Sequence, residues 1–170
     1  MILLAIDPGA AAKPTKKNPH SDPARHGWCL LEILPDQRPQ WVNAGHDPAG
    51  LIVDLMELAS DLDAVVVERP TRVHREEAGM PLLETAFAAG EFHGRALSVG
   101  RQASTLSAEN WRTAVVGLRS PSDAQVKAAL ARLLDLPARS NAHERDACGV
   151  GVGWALRSGA LVGGRGRRAA

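Results

Sequence analysis

The sequence predicts one α/β domain, in which short buried strands alternate with amphipathic helices. The first observation is the run Ile2–Ile6, which is apolar throughout and stops at Asp7-Pro8-Gly9, as a strand buried on both faces does. The second is Val65–Val67, a β-branched run whose preceding helical segment favours a position deep in the sheet. The third is the 45% hydrophobic content of the 170 residues, which suffices for a single core.

The strands and helices between these points follow from apolar runs and capping residues. Residues 28–34 and 40–44 predict two neighbouring antiparallel strands joined by a short turn. Asp47-Pro48 predicts an N-cap with proline at the first helical position, and a helix over 48–61. Its predicted apolar stripe consists of Leu51, Leu55, Leu58 and Leu62. Residues 10–27, rich in proline and lysine, predict a long flexible loop inserted after the first strand.

The second half of the chain continues the alternation. We predict a helix over 81–97, a weak strand over 102–107, a helix that starts at Ser120-Pro121 and stops at Pro137, and a last helix from about residue 141. Three glycines at 149, 151 and 153 lie in that last helix and predict its close packing on the sheet. Residues 1–160 therefore form the predicted domain, and the basic segment 161–170 a disordered tail.

Charge and composition exclude some classes of protein. The 20 Lys and Arg residues balance 19 Asp and Glu, so any nucleic acid must be met by a local basic patch. No apolar window approaches the length of a signal-peptide core or a membrane span. Cys29 and Cys148 lie in apolar stretches and are expected to be buried free thiols. These features predict a soluble, cytoplasmic protein without a membrane partner.

Acidic residues mark a candidate site. Asp7 closes the first strand and Glu68 closes the run at 65–67, so both carboxylates emerge at one edge if these strands are parallel neighbours. His143 and Asp146, three residues apart, share one face of the last helix. Because neighbouring carboxylates repel one another unless a proton or cation lies among them, Asp7, Glu68 and Asp146 predict a divalent metal, Mg²⁺ or Mn²⁺.

Each of these residues also has a purely structural interpretation. Asp7 fits a turn former, and Glu68 fits a charge at a strand end that faces water. Asp146 is favoured near a helix N-terminus by the helix dipole, and His143 fits a capping or surface histidine. Only their joint placement favours a metal site, and placement alone leaves its chemistry open.

Six short segments of the chain, taken in order and with their spacing, form a recognisable pattern. They are Ala5-Ile-Asp-Pro-Gly9, Val65-Val-Val-Glu68, Trp111-Arg-Thr-Ala-Val-Val-Gly117, Asp123-Ala-Gln-Val-Lys127, Leu133-Leu-Asp-Leu-Pro137 and His143-Glu-Arg-Asp-Ala147. The ordered set resembles the RuvC-type Holliday junction resolvases of the RNase H-like superfamily, over roughly residues 1–9 and 27–157. The resemblance implies a five-stranded mixed sheet flanked by helices on both faces, and a homodimer.

The resemblance also implies an activity. It is the symmetric, metal-dependent nicking of four-way or other branched DNA, which leaves 5′-phosphate and 3′-hydroxyl ends. The implied catalytic and metal-binding residues are Asp7, Glu68, His143 and Asp146, with two Mg²⁺ ions per site or Mn²⁺ as a substitute. The chain would then be a crossover junction endodeoxyribonuclease, active in DNA recombination and repair.

Basic residues around the expected crevice predict DNA-backbone contacts. They are Lys13, Lys16 and Lys17 in the inserted loop, Arg69, Arg72, His74 and Arg75 after Glu68, and, from the resemblance, Arg112 and Lys127. Two departures from the family stand out: the inserted loop, and the lack of an aromatic residue in Arg69-Pro-Thr-Arg-Val73. Because of the second, junction selectivity follows less directly than nuclease chemistry.

Two other functions fit the same residues. One is a catalytically silent DNA-binding module of this fold. The other is an ATP-binding domain of the actin or sugar-kinase type, whose first strand also ends in Asp-x-Gly. The ATP-binding domain would need a second phosphate loop and a duplicated domain, which 170 residues lack.

The four tryptophans and the helix at 81–97 also have two interpretations. Trp28, Trp41, Trp111 and Trp154 lie in apolar patterns and are predicted to be core residues. On the helix at 81–97, Leu82, Leu83, Phe87 and Phe92 serve either the dimer interface or the core of one subunit.

Overall fold

A computed structural model describes residues 1–9, 24–34, 37–70, 79–134, 136 and 141–160. Its elements, in chain order, are β1 (Ile2–Asp7), β2 (Arg25–Glu32), β3 (Gln40–Pro48), α1 (Ala49–Leu58), β4 (Leu62–Arg69), α2 (Gly79–Ser98), β5 (Gln102–Ser107), α3 (Ala108–Val116), α4 (Asp123–Leu133) and α5 (Ala142–Ser158). The order of strands and helices is as predicted except for α3, a helix that was not predicted and that Ser107 caps at the end of β5; β5 itself has the predicted bounds. No helix in these ranges combines the length and apolarity needed to span a membrane.

The five strands form one mixed sheet in the order β3-β2-β1-β4-β5. The β2–β3 and β1–β2 pairs are antiparallel, whereas β1–β4 and β4–β5 are parallel. The parallel register of β1 and β4 pairs Ile6 with Val67, so Asp7 and Glu68 follow side by side. This confirms the two predictions on which the candidate site depends. The strands β1 and β4 are parallel neighbours, and their carboxyl ends lie at the same edge of the sheet.

Both faces of the sheet are covered, because side chains of the central strands point alternately to opposite sides. Leu3 and Ala5 belong to a core beneath α3, α4 and α5, in which Trp111 and Val150 are fully buried. Leu4 and Ile6 belong to a second core, beneath α1 and α2. This double burial explains why β1 is apolar throughout.

Two predicted helix starts were wrong. Asp47 lies in β3, where its Oδ2 accepts the indole N–H of Trp28 at 2.8 Å, and Pro48 takes the N-cap position. Ser122 rather than Ser120 caps α4, in a capping box with Gln125. In both cases the correct residue lies one or two positions further along, since a cap is defined by where the backbone enters the helix and not by residue type alone.

The predicted stripe on α1 was also wrong. Ile52 and Met56 are its fully buried residues, whereas Leu51 is 54% and Leu58 is 81% exposed. Leu62 lies in β4 instead of extending the helix. The segment contains two overlapping apolar stripes, one with Leu51 and Leu58 and one with Ile52 and Met56. The sheet packs against the second stripe.

Several predictions fall on residues outside the described ranges. They concern Lys13, Lys16, Lys17, Arg72, His74, Arg75, the helix stop at Pro137 and the tail 161–170. The predicted loop 10–27 is too long at its end, because β2 already begins at Arg25.

Cys29 and Cys148 are buried free thiols, as predicted. The sequence gives no sign that they meet, yet Cys148 on α5 donates its S–H to the Sγ of Cys29 on β2 at 2.8 Å. Burial raises the pKa of the Cys29 thiol well above its usual value, which keeps it protonated. The pair therefore forms part of the packing between α5 and the sheet.

Candidate active site

The candidate site lies at the carboxyl ends of β1 and β4. Asp7 is the last residue of β1, and Glu68 is next to last in β4. The N-terminus of α5 lies over the same edge, because its first turn carries His143 and the next residues include Asp146. All four predicted site residues are therefore described, and they meet at this edge of the sheet.

His143 is joined directly to Asp7. Its Nδ1 lies 2.8 Å from Asp7 Oδ2, a contact that bridges 136 positions of sequence. This hydrogen bond is the largest cause of the raised pKa of His143, and the neighbouring acids Asp7, Asp146 and Glu68 act in the same direction. In this arrangement, the imidazole carries its positive charge over a wider pH range than an isolated histidine.

Two features fix where α5 begins. Asn141 caps the helix in a reciprocal capping box with Glu144. Gly27 of β2 lies beneath His143, and a Cβ at Gly27 would come within 2.2 Å of the His143 carbonyl oxygen. Only glycine allows the strand and the helix to approach this closely, so Gly27 determines how near His143 lies to the sheet.

His46 of β3 lies against the other side of His143. The two imidazole rings are parallel, at an interplanar angle of 7°, with centroids 4.9 Å apart. His46 is opposite Gly27 in the β2–β3 register, which brings its ring to the same place. The His143 ring is thus held between Asp7 at its edge and His46 at its face.

Glu68 is the most strongly perturbed acid of the site. Burial, with the charges of Asp7 and Asp146, raises its pKa to about 7 against the opposing hydrogen bond from Trp111. The indole N–H of Trp111 donates to Glu68 Oε2 at 2.7 Å. Without a cation, Glu68 therefore keeps its proton up to about pH 7.

Asp146 and Arg112 are the remaining ionisable residues of the site. Burial, and then Asp7, raises the pKa of Asp146, while Arg112 opposes this shift. Arg112 Nη2 lies 3.7 Å from Asp146 Oδ2, and its Nη1 lies 2.6 Å from Asp123 Oδ1. A single guanidinium on α3 thus offsets acids on α5 and α4.

His26 supports the turn that follows Asp7. It is 3% exposed, and its Nδ1 accepts the backbone N–H of Gly9 at 3.1 Å. Burial, and then His46, lowers the pKa of His26, so the neutral ring that this hydrogen bond requires is favoured. Phe92 of α2 meets the ring edge-on, with centroids 4.9 Å apart.

The donor chemistry of the site suits a divalent cation. Asp7, Glu68 and Asp146 offer carboxylate oxygens, and Asp7 is close enough to raise the pKa values of Glu68 and Asp146, a repulsion that a cation would relieve. Within the described ranges, however, no three Asp, Glu, His or Cys side chains are already arranged around a point where one ion could bind. Asp7 contacts His143 and Asp146 faces Arg112, so cation binding requires these acids to exchange their present partners.

Three of the predicted DNA-binding residues fall in the described ranges: Arg69, Arg112 and Lys127. Arg69 is exposed and directly follows Glu68 at the end of β4. Arg112 is paired with the acids described above, and Lys127 is exposed on α4, one turn after Asp123. Of these three candidates, Arg69 is the one that directly follows an acid of the site in sequence.

Three residues of the site were not predicted. His26 falls within the expected loop, and His46 falls beyond the expected end of the third strand, so neither stood on a predicted element near the edge. Trp111 was predicted to be core, and it is fully buried. Its contact with Glu68 had one available signal, since a buried indole N–H normally has a hydrogen-bond partner.

Solved structures show the same fold. The structure of Thermus thermophilus RuvC aligns with a TM-score of 0.67 and 17% identity, over 94% of this chain and 98% of that one. T. thermophilus RuvC in complex with Holliday junction substrate aligns with a TM-score of 0.66 and 16% identity, over 93% and 94%. The yeast mitochondrial Holliday junction resolvase Ydc2 aligns with a TM-score of 0.51 and 12% identity, over 93% and 80%. No family model and no curated protein matches the chain. The predicted RNase H-like, RuvC-type fold is thereby confirmed.

Proposed function

We propose that this protein is a divalent-cation-dependent endonuclease that nicks four-way or other branched DNA at two symmetric positions. The observation that carries the proposal is the meeting of Asp7, Glu68, His143 and Asp146 at one edge of a RuvC-type sheet. One solved structure with this fold is a RuvC bound to Holliday junction substrate, which supports branched DNA as the partner. The shared fold alone would leave the chemistry open, whereas the acidic edge favours phosphodiester hydrolysis.

In this proposal, the acids hold two Mg²⁺ ions, or Mn²⁺ as a substitute. Asp7, on the central strand of the sheet, would hold them together with Glu68 and Asp146. Two such ions supply a water of lowered pKa and neutralise the charge on the leaving 3′-oxygen, which yields 5′-phosphate and 3′-hydroxyl ends. His143 leaves Asp7 to ligate or to orient the attacking water, for which a neutral imidazole is suited.

Basic side chains would hold the DNA through its phosphates. We assign this role to Arg69 beside the site and to Lys127 on α4, together with Lys13, Lys16, Lys17, Arg72, His74 and Arg75. Arg112 already pairs with Asp123 and Asp146, which favours a role within the acidic site over a phosphate contact.

Two symmetric nicks call for two active sites, so we propose a homodimer. Helix α2 offers a surface for it: Phe92 is buried in the core of the subunit, but Leu83 is 51% and Phe87 is 76% exposed. Exposed apolar side chains on one helix are a common feature of dimer interfaces. Cys29 and Cys148 are both buried in the core, and we propose that they stay reduced, in a compartment such as the cytoplasm.

The test is cleavage of a synthetic four-way junction, compared with a linear duplex, in the presence of Mg²⁺ or of EDTA. We expect paired nicks with ligatable ends from the unmodified protein in Mg²⁺ alone. Asp7→Asn should abolish cleavage but retain junction binding, whereas the matched change Asp54→Asn, at an exposed position of α1, should cut normally.

The other outcomes are equally distinct. Junction binding without any cut by the unmodified protein would favour the catalytically silent DNA-binding module. ATP turnover without DNA binding would favour the ATP-binding domain. Cleavage that survives Asp7→Asn would contradict the assignment of this edge as the active site.

A further inference from the structure

Trp111 is a fully buried residue with one polar atom, and that atom points to the candidate site. Its indole N–H donates to Glu68 Oε2 at 2.7 Å. A hydrogen bond donated to a carboxyl group favours its ionised form, so the bond from Trp111 opposes the raised pKa of Glu68. The bond joins α3 to the end of β4, two elements separated by α2 and β5 in the chain.

The same indole is the surface on which α5 packs. A Cβ at Gly149 would come within 2.4 Å of the Trp111 ring, and one at Gly153 within 2.6 Å of the Trp111 Cβ. Asp146 lies three residues before Gly149, one turn along α5, so it shares the face that rests on Trp111. The ring therefore acts as a spacer between the strand that carries Glu68 and the helix that carries Asp146.

The next residue of α3 reaches the other acid. The Arg112 guanidinium lies 5.2 Å from the centroid of the Trp111 ring, and its Nη2 lies 3.7 Å from Asp146 Oδ2. Two successive residues of α3 thus contact two different carboxylates of the site. A buried indole N–H needs some acceptor, and here the acceptor is a carboxylate of the candidate site.

We propose that Trp111 is a positioning residue of the cation site, which holds one oxygen of Glu68 through its N–H and leaves the other for a cation. This inference rests on the proposed function, because it assumes that Glu68 is a ligand. It assigns Trp111 a task beyond the core, since hydrogen-bond partners of ligating carboxylates orient them and raise metal affinity. Phenylalanine would fill most of the same space but could not make the bond.

The experiment compares Trp111→Phe with Trp154→Phe. Trp154 is a matched control: its indole N–H donates to Ser104 Oγ at 3.0 Å, a hydroxyl that is not part of the acidic site. Mn²⁺ affinity is measured by titration calorimetry on the full chain without DNA. We expect Trp111→Phe to bind Mn²⁺ about 10- to 100-fold more weakly, the usual cost of losing such a partner, and Trp154→Phe to bind as the unmodified protein does.

A second measurement covers the case in which Trp111→Phe does not fold. In the unmodified protein labelled with ¹⁵N, Mg²⁺ should shift the indole N–H resonance of Trp111 and leave that of Trp154 unchanged. Equal Mn²⁺ affinity in Trp111→Phe and the unmodified protein, or a Trp111 resonance that ignores Mg²⁺ while binding occurs, would overturn the inference but leave the cation site intact. Absence of any Mn²⁺ binding by the unmodified protein would overturn both the inference and the proposed function.

Discussion

Replacing Glu68 by glutamine should stabilise the cation-free protein at alkaline pH. Below the ordinary pKa of 4.5, Glu68 is protonated in both the folded and the unfolded state and has no net effect. Between pH 4.5 and about 7, the folded state keeps a proton that the unfolded chain has released, so the free energy of unfolding falls as pH rises. Above that range, both states are ionised and the loss is complete. A glutamine at this position does not ionise and avoids the loss.

The size of the effect follows from the pKa of Glu68. A rise from 4.5 to about 7 corresponds to about 3 kcal/mol at most, because one pH unit is worth about 1.36 kcal/mol. Glutamine keeps an oxygen that can accept the Trp111 N–H, so the packing of α3 on β4 is preserved. The comparison therefore isolates the cost of the buried charge.

The assay is urea denaturation in EDTA from pH 5 to 8.5, with Glu84→Gln at an exposed position of α2 as the control. We expect Glu68→Gln to gain about 3 kcal/mol over the unmodified protein by pH 8, and Glu84→Gln to follow the unmodified protein throughout. Mg²⁺ at pH 8 should stabilise the unmodified protein more than Glu68→Gln, because it retains all three carboxylates. If the difference in free energy of unfolding between Glu68→Gln and the unmodified protein stays constant or narrows as pH rises, the pKa of Glu68 is not raised in the folded state.

Two further changes test the packing and the assembly. Gly27→Ala should lower the free energy of unfolding by about 3 kcal/mol in urea denaturation, because its Cβ meets the carbonyl of His143. Gly94→Ala, in the middle of α2 with open space around it, should instead add about 0.5–1 kcal/mol, and the reverse ranking would contradict the described contact. Phe87→Asp should convert the proposed dimer to a monomer in light scattering. Leu58→Asp, at a similarly exposed position on α1, should leave the dimer intact. If the unmodified protein is already monomeric, α2 is not a dimer interface.

The order of the elements other than α3 was predictable, because strand and helix patterns here are local. β1 and β4 are buried on both faces, and their continuous apolar runs predict this burial. The phase of α1 was not predictable, since Leu51 and Ile52 are both apolar and only the sheet decides which of them is buried. Cap positions failed for a similar reason: Asp47 has a partner in Trp28 that the sequence does not reveal.

The acids of the site were predictable, and their partners were not. Asp7 and Glu68 end strands that the sequence marks clearly, so their proximity follows from parallel pairing. The bonds made by His26, His46 and Trp111 depend on the β2–β3 register and on how α3 and α5 pack, which arise from contacts distant in sequence. Sequence patterns thus identify the acidic groups, and tertiary packing supplies the side chains that orient them.

The glycines of α5 affect how loss-of-function mutants of this protein should be interpreted. Gly149 and Gly153 meet the ring and the Cβ of Trp111, so an added methyl at either would force α5 away from α3, whereas at Gly151 the nearest atom is the end of the flexible Leu31 side chain. Such a shift would carry His143 and Asp146 with it. If the proposed activity holds, a mutational screen scored only by activity would therefore group Gly149 and Gly153 with the acids, although their effect would come from helix packing.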